Sequence, residues 1–165
     1  MKAYRAEDLR SFTQALFLKE SFDRFLVAEA EFRTFCAFSV SGAAERGWFT
    51  DEELEEERVE EYISWRKLRP VCFGLIRGKK TPGYFRITFR ADPEEEEAFL
   101  KENAPSFPRE SLGGLFWNLK YENGKLQLIS AASMNRFPPD RALEEAWDRR
   151  TERFLKEEKI PYERI

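Results

Sequence analysis

Apolar and polar positions along this chain repeat with periods that change from segment to segment, and each change marks an element. Between residues 7 and 17, Leu9, Phe12, Leu16 and Phe17 recur at the i, i+3, i+7, i+8 spacing of an amphipathic helix. From 24 to 40 the period falls to two. Leu26, Ala28, Ala30, Phe32, Thr34, Cys36, Phe38 and Val40 share one face, while Glu29, Glu31, Arg33 and Ser39 fall on the other. That alternation predicts one long, bent strand. Ser41-Gly42 predicts a turn at its end, with a short strand returning to about Trp48-Phe49.

Thr50 with Glu53 three residues on has the form of a capping box, so a helix with an acidic first turn should follow. Pro70 predicts the end of that helix and the start of a second short one closed by Gly78, because proline fits a first turn and not an interior. A strand over 71–76, paired with 84–89, is the competing reading. Phe85, Ile87 and Phe89 alternate with Arg86, Thr88 and Arg90 as a half-buried strand does. Asp92-Pro93 then opens a helix reaching about Asn103.

Asn123-Gly124 is the pair that a type I′ turn demands, and it predicts a hairpin from 115–121 and 125–132. The turn sets Tyr121 opposite Leu126, Leu119 opposite Leu128, Trp117 opposite Ser130, and Glu122 opposite Lys125. Pro138-Pro139-Asp140 introduces a last helix with Leu143, Trp147, Phe154 and Leu155 on one stripe. No repeat and no Gly/Ser/Pro linker divides the sequence. The expected fold is one α+β domain over 1–165, an antiparallel or mixed sheet of about five strands with helices packed on it.

Composition removes whole function classes. An apolar fraction of 42%, with 16 Phe and 4 Trp, is incompatible with disorder despite 36% charged residues. The charged amino-terminal residues lack a secretory pattern, and the longest apolar runs fall far short of a bilayer span, so a cytoplasmic protein with no membrane partner is expected. Cys36 and Cys72 make no disulfide framework and read as buried, reduced thiols. The absence of histidine removes His-based triads and the usual zinc and iron sites; no metal and no cofactor is expected.

Charge is segregated. Residues 51–61 hold eight acids and one base; residues 62–91 hold no acid but carry Arg66, Lys67, Arg69, Arg77, Lys79, Lys80, Arg86 and Arg90. With Trp65, Phe73, Tyr84 and Phe85 interleaved, the block reads as a surface for a polyanion, nucleic acid included, or for an acidic protein partner. That partner could be a second copy of this chain, through its own acidic helices. The bland account seats the same cations at a helix carboxyl end, paired with the flanking acids.

Four local motifs fall short of a chemical site. Residues 83–89 depart from the RNA-recognition strand signature, with Phe85 at the small position and Arg86 in place of a stacking ring. Residues 77–82 lack the second glycine of a phosphate loop, and Pro82 removes a donor. Glu94–Glu97 reads as a solvated helix start, and the small residues Ser130 to Ser133 as a packing contact. Glu29 and Glu31 share a strand face, and with Lys79 they would serve a small carboxylate- or lysine-based enzyme, the alternative to a binding module.

The segment from Trp65 through Leu68-Arg69-Pro70 and Phe73-Gly74-Leu75-Ile76-Arg77-Gly78-Lys79-Lys80-Thr81-Pro82, with Phe49-Thr50-Asp51-Glu52-Glu53-Leu54 and the helix-first start, resembles a family of uncharacterised bacterial proteins of about this length. The resemblance spans most of the chain. It implies a bacterial, cytoplasmic setting and brings no catalytic motif, cofactor or partner.

Overall fold

The protein is described by a computed structural model covering residues 1–165. The chain runs β1 (Ala3–Ala6), α1 (Leu9–Phe17), β2 (Leu26–Arg33), β3 (Ala37–Ser41), α2 (Asp51–Glu56), β4 (Ile63–Ser64) and α3 (Trp65–Ile76). It continues with β5 (Tyr84–Arg90), α4 (Pro93–Asn103), β6 (Leu112–Glu122), β7 (Lys125–Met134), α5 (Arg141–Glu157) and β8 (Tyr162–Arg164). The strands form a single sheet in the order β3-β2-β5-β6-β7-β1-β8, with β4 also on β2, and every pairing is antiparallel. The fold is therefore α+β with eight strands, not about five. The additional strands β1, β4 and β8 are two to four residues long, too short to show a period. No helix is long and apolar enough to cross a membrane.

Period two decides which face is covered. Phe85, Ile87 and Phe89 of β5 register with Tyr121, Leu119 and Trp117 of β6, and all six are buried. On the opposite face the same strands carry Arg86, Lys120 and Glu122, all exposed. The helices lie on the apolar face. Phe17 of α1 meets Phe85 edge-on, Trp65 of α3 meets Phe89, and Trp147 of α5 stacks on Trp117. Trp117 also lies face to face with Phe25, with ring centroids 4.1 Å apart. Such pairs add about 0.5–1.5 kcal/mol each beyond the area they bury. Each buried tryptophan also places its indole N–H: Trp65 on the Leu16 carbonyl, Trp117 on the Thr151 hydroxyl, and Trp147 on the Phe116 carbonyl.

The β6–β7 hairpin has the expected register, from Glu122 opposite Lys125 to Trp117 opposite Ser130. Asn123 and Gly124 take the positive φ values, 54° and 73°, that a type I′ turn requires. The close ion pair at this end is Lys120–Glu122, at 2.8 Å, and does not involve Lys125. Asp8, Thr50, Asp92 and Asp140 cap α1, α2, α4 and α5, and Thr50 with Glu53 completes both halves of the capping box. Residues 71–76 are helical.

Four local expectations are corrected. The long strand over 24–40 is two strands that reverse at Thr34–Cys36. Phe32 pairs with Phe38 and Ala30 with Val40, so even-numbered residues stay on one face through the reversal, and the alternation is blind to it. Cys36 therefore sits exposed at the hairpin tip, while Cys72 is buried. Past Ser41 the chain does not return as a strand. Gly42 lies where a Cβ would overlap the Val27 carbonyl, and Ala43 makes a single bridge to Tyr62 before a short turn at Arg46–Trp48. Last, α2 ends at Glu56, because its acidic run offers only the half-buried Leu54 to the core. The next helix starts at Trp65 and carries Pro70 inside it. Proline there leaves the Arg66 carbonyl without its helical donor, a loss eased by water because Arg66 and Pro70 are both exposed.

Candidate anion-binding site

The basic block is divided by its own neighbours. Arg69 clamps the buried Asp23 with two hydrogen bonds of 2.9 and 3.0 Å, tying the loop after α1 to α3. Lys67 pairs with Glu57 at 3.0 Å, and Arg86 with Glu29 at 3.3 Å on the uncovered sheet face. Arg90 reaches Glu96 at 3.3 Å. Arg66 is exposed in a shallow depression shared with Asp23, Glu60, Asp92 and Glu94. Arg77, Lys79 and Lys80 are different: all three are exposed, none lies within ion-pair distance of a carboxylate, and none of their side chains hydrogen-bonds the last carbonyls of α3, where only the Arg77 backbone N–H donates, to Phe73.

Those three line a cleft of about 600 Å³. One wall is α1, which contributes Leu9, Arg10, Thr13, Gln14 and Phe17, with Leu18 just beyond its end. Phe73 and Ile76 from the last turns of α3 form the other wall, and residues 77–82 form the rim. The floor is made by Phe85, at the start of β5, and Tyr121, at the end of β6, whose rings stack 5.2 Å apart. The result is an apolar interior with four cations, Arg10, Arg77, Lys79 and Lys80, and no carboxylate in its lining. Four other depressions on the surface each mix cations with carboxylates. The walls are held together by the Trp65 N–H on the Leu16 carbonyl at 2.7 Å and by the Phe17–Phe73 contact.

The candidate catalytic residues are not gathered. Glu29 and Glu31 lie on the uncovered sheet face, Glu31 held by Arg33 at 2.9 Å, whereas Lys79 stands at the cleft on the helix side. No three Cys, Asp or Glu side chains converge closely enough to hold a metal ion. The buried carboxylates are saturated with donors. Glu96, in the acidic run read as solvated, is fully buried and accepts from Arg90, Arg109 and the Leu115 N–H. Asp148 accepts from the Ser130 hydroxyl, and Glu152 from Tyr4 and Arg164.

This last cluster has perturbed protonation. Burial, reinforced by the negative charges of Glu152 and Asp148, pushes the Tyr4 phenol well above its ordinary value. For Glu152 burial acts upward, but the hydrogen bonds from Arg164 and Tyr4 outweigh it and hold the carboxyl below the usual range. The group fastens β1 to α5; Tyr4, Asp148 and Glu152 line none of the larger depressions, and Arg164 alone borders one, an open hollow beside β8. Burial likewise pushes the Cys72 thiol up to about 12.

Sequence reasoning supplied Arg77, Lys79 and Lys80 but not Arg10, Gln14 or Tyr121. These come from elements distant along the chain, and nothing local marks them as sharing a cleft.

The model of a family of unknown function, DUF5721, matches residues 15–163, and the chain belongs to that family. No curated protein and no solved structure matches it.

Proposed function

Since membership of this family assigns no activity, we propose from the site itself that the protein is a non-enzymatic binding module for an anionic ligand. The observation that carries this reading is the cleft lining: Arg10, Arg77, Lys79 and Lys80 around an apolar floor, with no carboxylate to neutralise them. Four like charges held together without counter-ions raise the local potential and concentrate anions, all the more in a concave site with low-dielectric walls. Of the basic block, this reading keeps Arg77, Lys79 and Lys80 as ligand contacts and treats Lys67, Arg69, Arg86 and Arg90 as parts of ion pairs within the fold. Arg66, open to solvent, would add only to long-range attraction. A cytoplasmic setting belongs to the same proposal, and an exposed free thiol at Cys36 suits a reducing compartment.

The test is an amide-resolved NMR titration with inorganic pyrophosphate at low and at high salt. Shifts should cluster at residues 10–18 and 73–82 and should shrink as salt screens the exposed cations. Shifts centred on Arg66 and Lys67, or none at low salt, would contradict the reading.

A further inference from the structure

Resting on that reading, we infer that the ligand is a small amphipathic anion, a free molecule with a compact carboxylate or phosphate head and an apolar tail. The tail follows from the interior of the cleft. Phe73, Ile76 and Leu9 are only half-buried and Leu18 is 58% exposed, so the walls keep apolar surface in contact with water. A bare inorganic anion would leave that surface wet, whereas an alkyl or aryl tail would remove it from water at about 25 cal/mol per Å². The head follows from the rim, where a guanidinium and two ammonium groups on Arg77, Lys79 and Lys80 succeed one another along one short segment.

Size argues for a small molecule over a macromolecule. A cleft of about 600 Å³ lies within the range of roughly 300–1,000 Å³ typical of small-ligand sites. Sixteen residues line it, fewer than the roughly 20–30 a side of a stable protein interface. A nucleic-acid strand would need cations spaced along its backbone, yet the nearest others in sequence, Lys67, Arg69 and Arg86, are engaged by Glu57, Asp23 and Glu29.

The experiment compares octanoate, octyl phosphate, 1-octanol and acetate by the same NMR titration of the full chain. The two octyl anions should bind at least about tenfold more tightly than octanol or acetate, the loss expected when one part of a two-part contact is removed. They should shift Phe73 and Leu18 together with Lys79 and Lys80. If acetate matches octanoate, the tail is wrong while the anion reading stands. If octanol matches octanoate, the charge contributes nothing and both readings fail. Binding to phosphatidylglycerol vesicles without any response to octanoate would overturn the free ligand in favour of a bilayer. A pair of variants adds a check that leaves folding untouched, since Leu18 is exposed: Leu18→Glu replaces apolar wall with a negative charge and should weaken octanoate binding at least about tenfold, whereas Leu18→Met keeps the apolar surface and should bind as the native chain does. Equal binding by the two would overturn the placement of the tail against Leu18.

Discussion

The Trp65 indole N–H donates to the Leu16 carbonyl at 2.7 Å, and both residues are fully buried. Leu16 lies in the last turn of α1, whose final carbonyls have no donor within the helix, so α3 supplies one. This bond sets the spacing between the two walls of the cleft. Trp65→Phe should cost about 1–3 kcal/mol by leaving a buried carbonyl unsatisfied, and the loss should appear as a lower urea midpoint. It should also weaken octanoate binding, although Trp65 lines no part of the cleft. An unchanged midpoint would show that the bond does not hold α1 to α3.

Leu119 and Leu128 face each other across the β6–β7 hairpin with no exposure at either side chain. Leu119→Ala should therefore cost about 2–5 kcal/mol in chemical denaturation. A change below about 0.5 kcal/mol would mean the site collapses around the deletion or is not the core.

The basic block should divide sharply under mutation. Arg69→Met strands the buried carboxylate of Asp23 and should cost about 3 kcal/mol or more. Lys67→Ala breaks an ion pair whose partners are both about half exposed and should change stability by less than about 0.5 kcal/mol. Equal effects in denaturant titrations would contradict the distinction drawn between them.

Stability should fall at both ends of the pH scale for separate reasons. Glu152 is lowered in the folded state, so its contribution is present above the ordinary glutamate value of about 4.3 and is lost as pH falls through the folded value. Tyr4 is raised, so its contribution is present below about pH 10 and is lost as pH climbs further. Cys72 adds a like loss between 9.0 and about 12. Tyr4→Phe should flatten the alkaline limb of the urea midpoint above about pH 10. A limb as steep as that of the native protein would remove Tyr4 from the account.

Thiol chemistry checks the hairpin correction. One thiol per chain, Cys36, should react promptly with a disulfide reagent in the native state, and Cys72 only after denaturation. Two fast thiols, or none, would place the β2–β3 reversal wrongly.

Elements that announce themselves locally were legible: the Asn123-Gly124 hairpin, the caps at Thr50 and Asp92, the helix introduced by Pro138-Pro139-Asp140, and the stripe of α1. The reversal at Thr34–Cys36 was hidden because its register preserves the even–odd pattern. Pro70 misled because its cost depends on whether water reaches the Arg66 carbonyl, which is a tertiary property. Three of the cleft's four cations were visible as charge in residues 77–80. What separates these cations from Arg69 or Arg90 is the absence of a carboxylate nearby, and Asp23 and Glu96 reach their partners only through the fold.

The central claim is that the unneutralised cations of one cleft bind an anion, and calorimetric titration of octanoate into three proteins tests it most directly. Lys79→Ala/Lys80→Ala should bind about tenfold or more weakly than the native chain, the loss of roughly one charge-assisted hydrogen bond, with no change in melting temperature. Arg66→Ala/Lys67→Ala removes as much positive charge outside the cleft and should bind as the native chain does. Equal affinity in all three, or a larger loss in the second variant, would contradict the account.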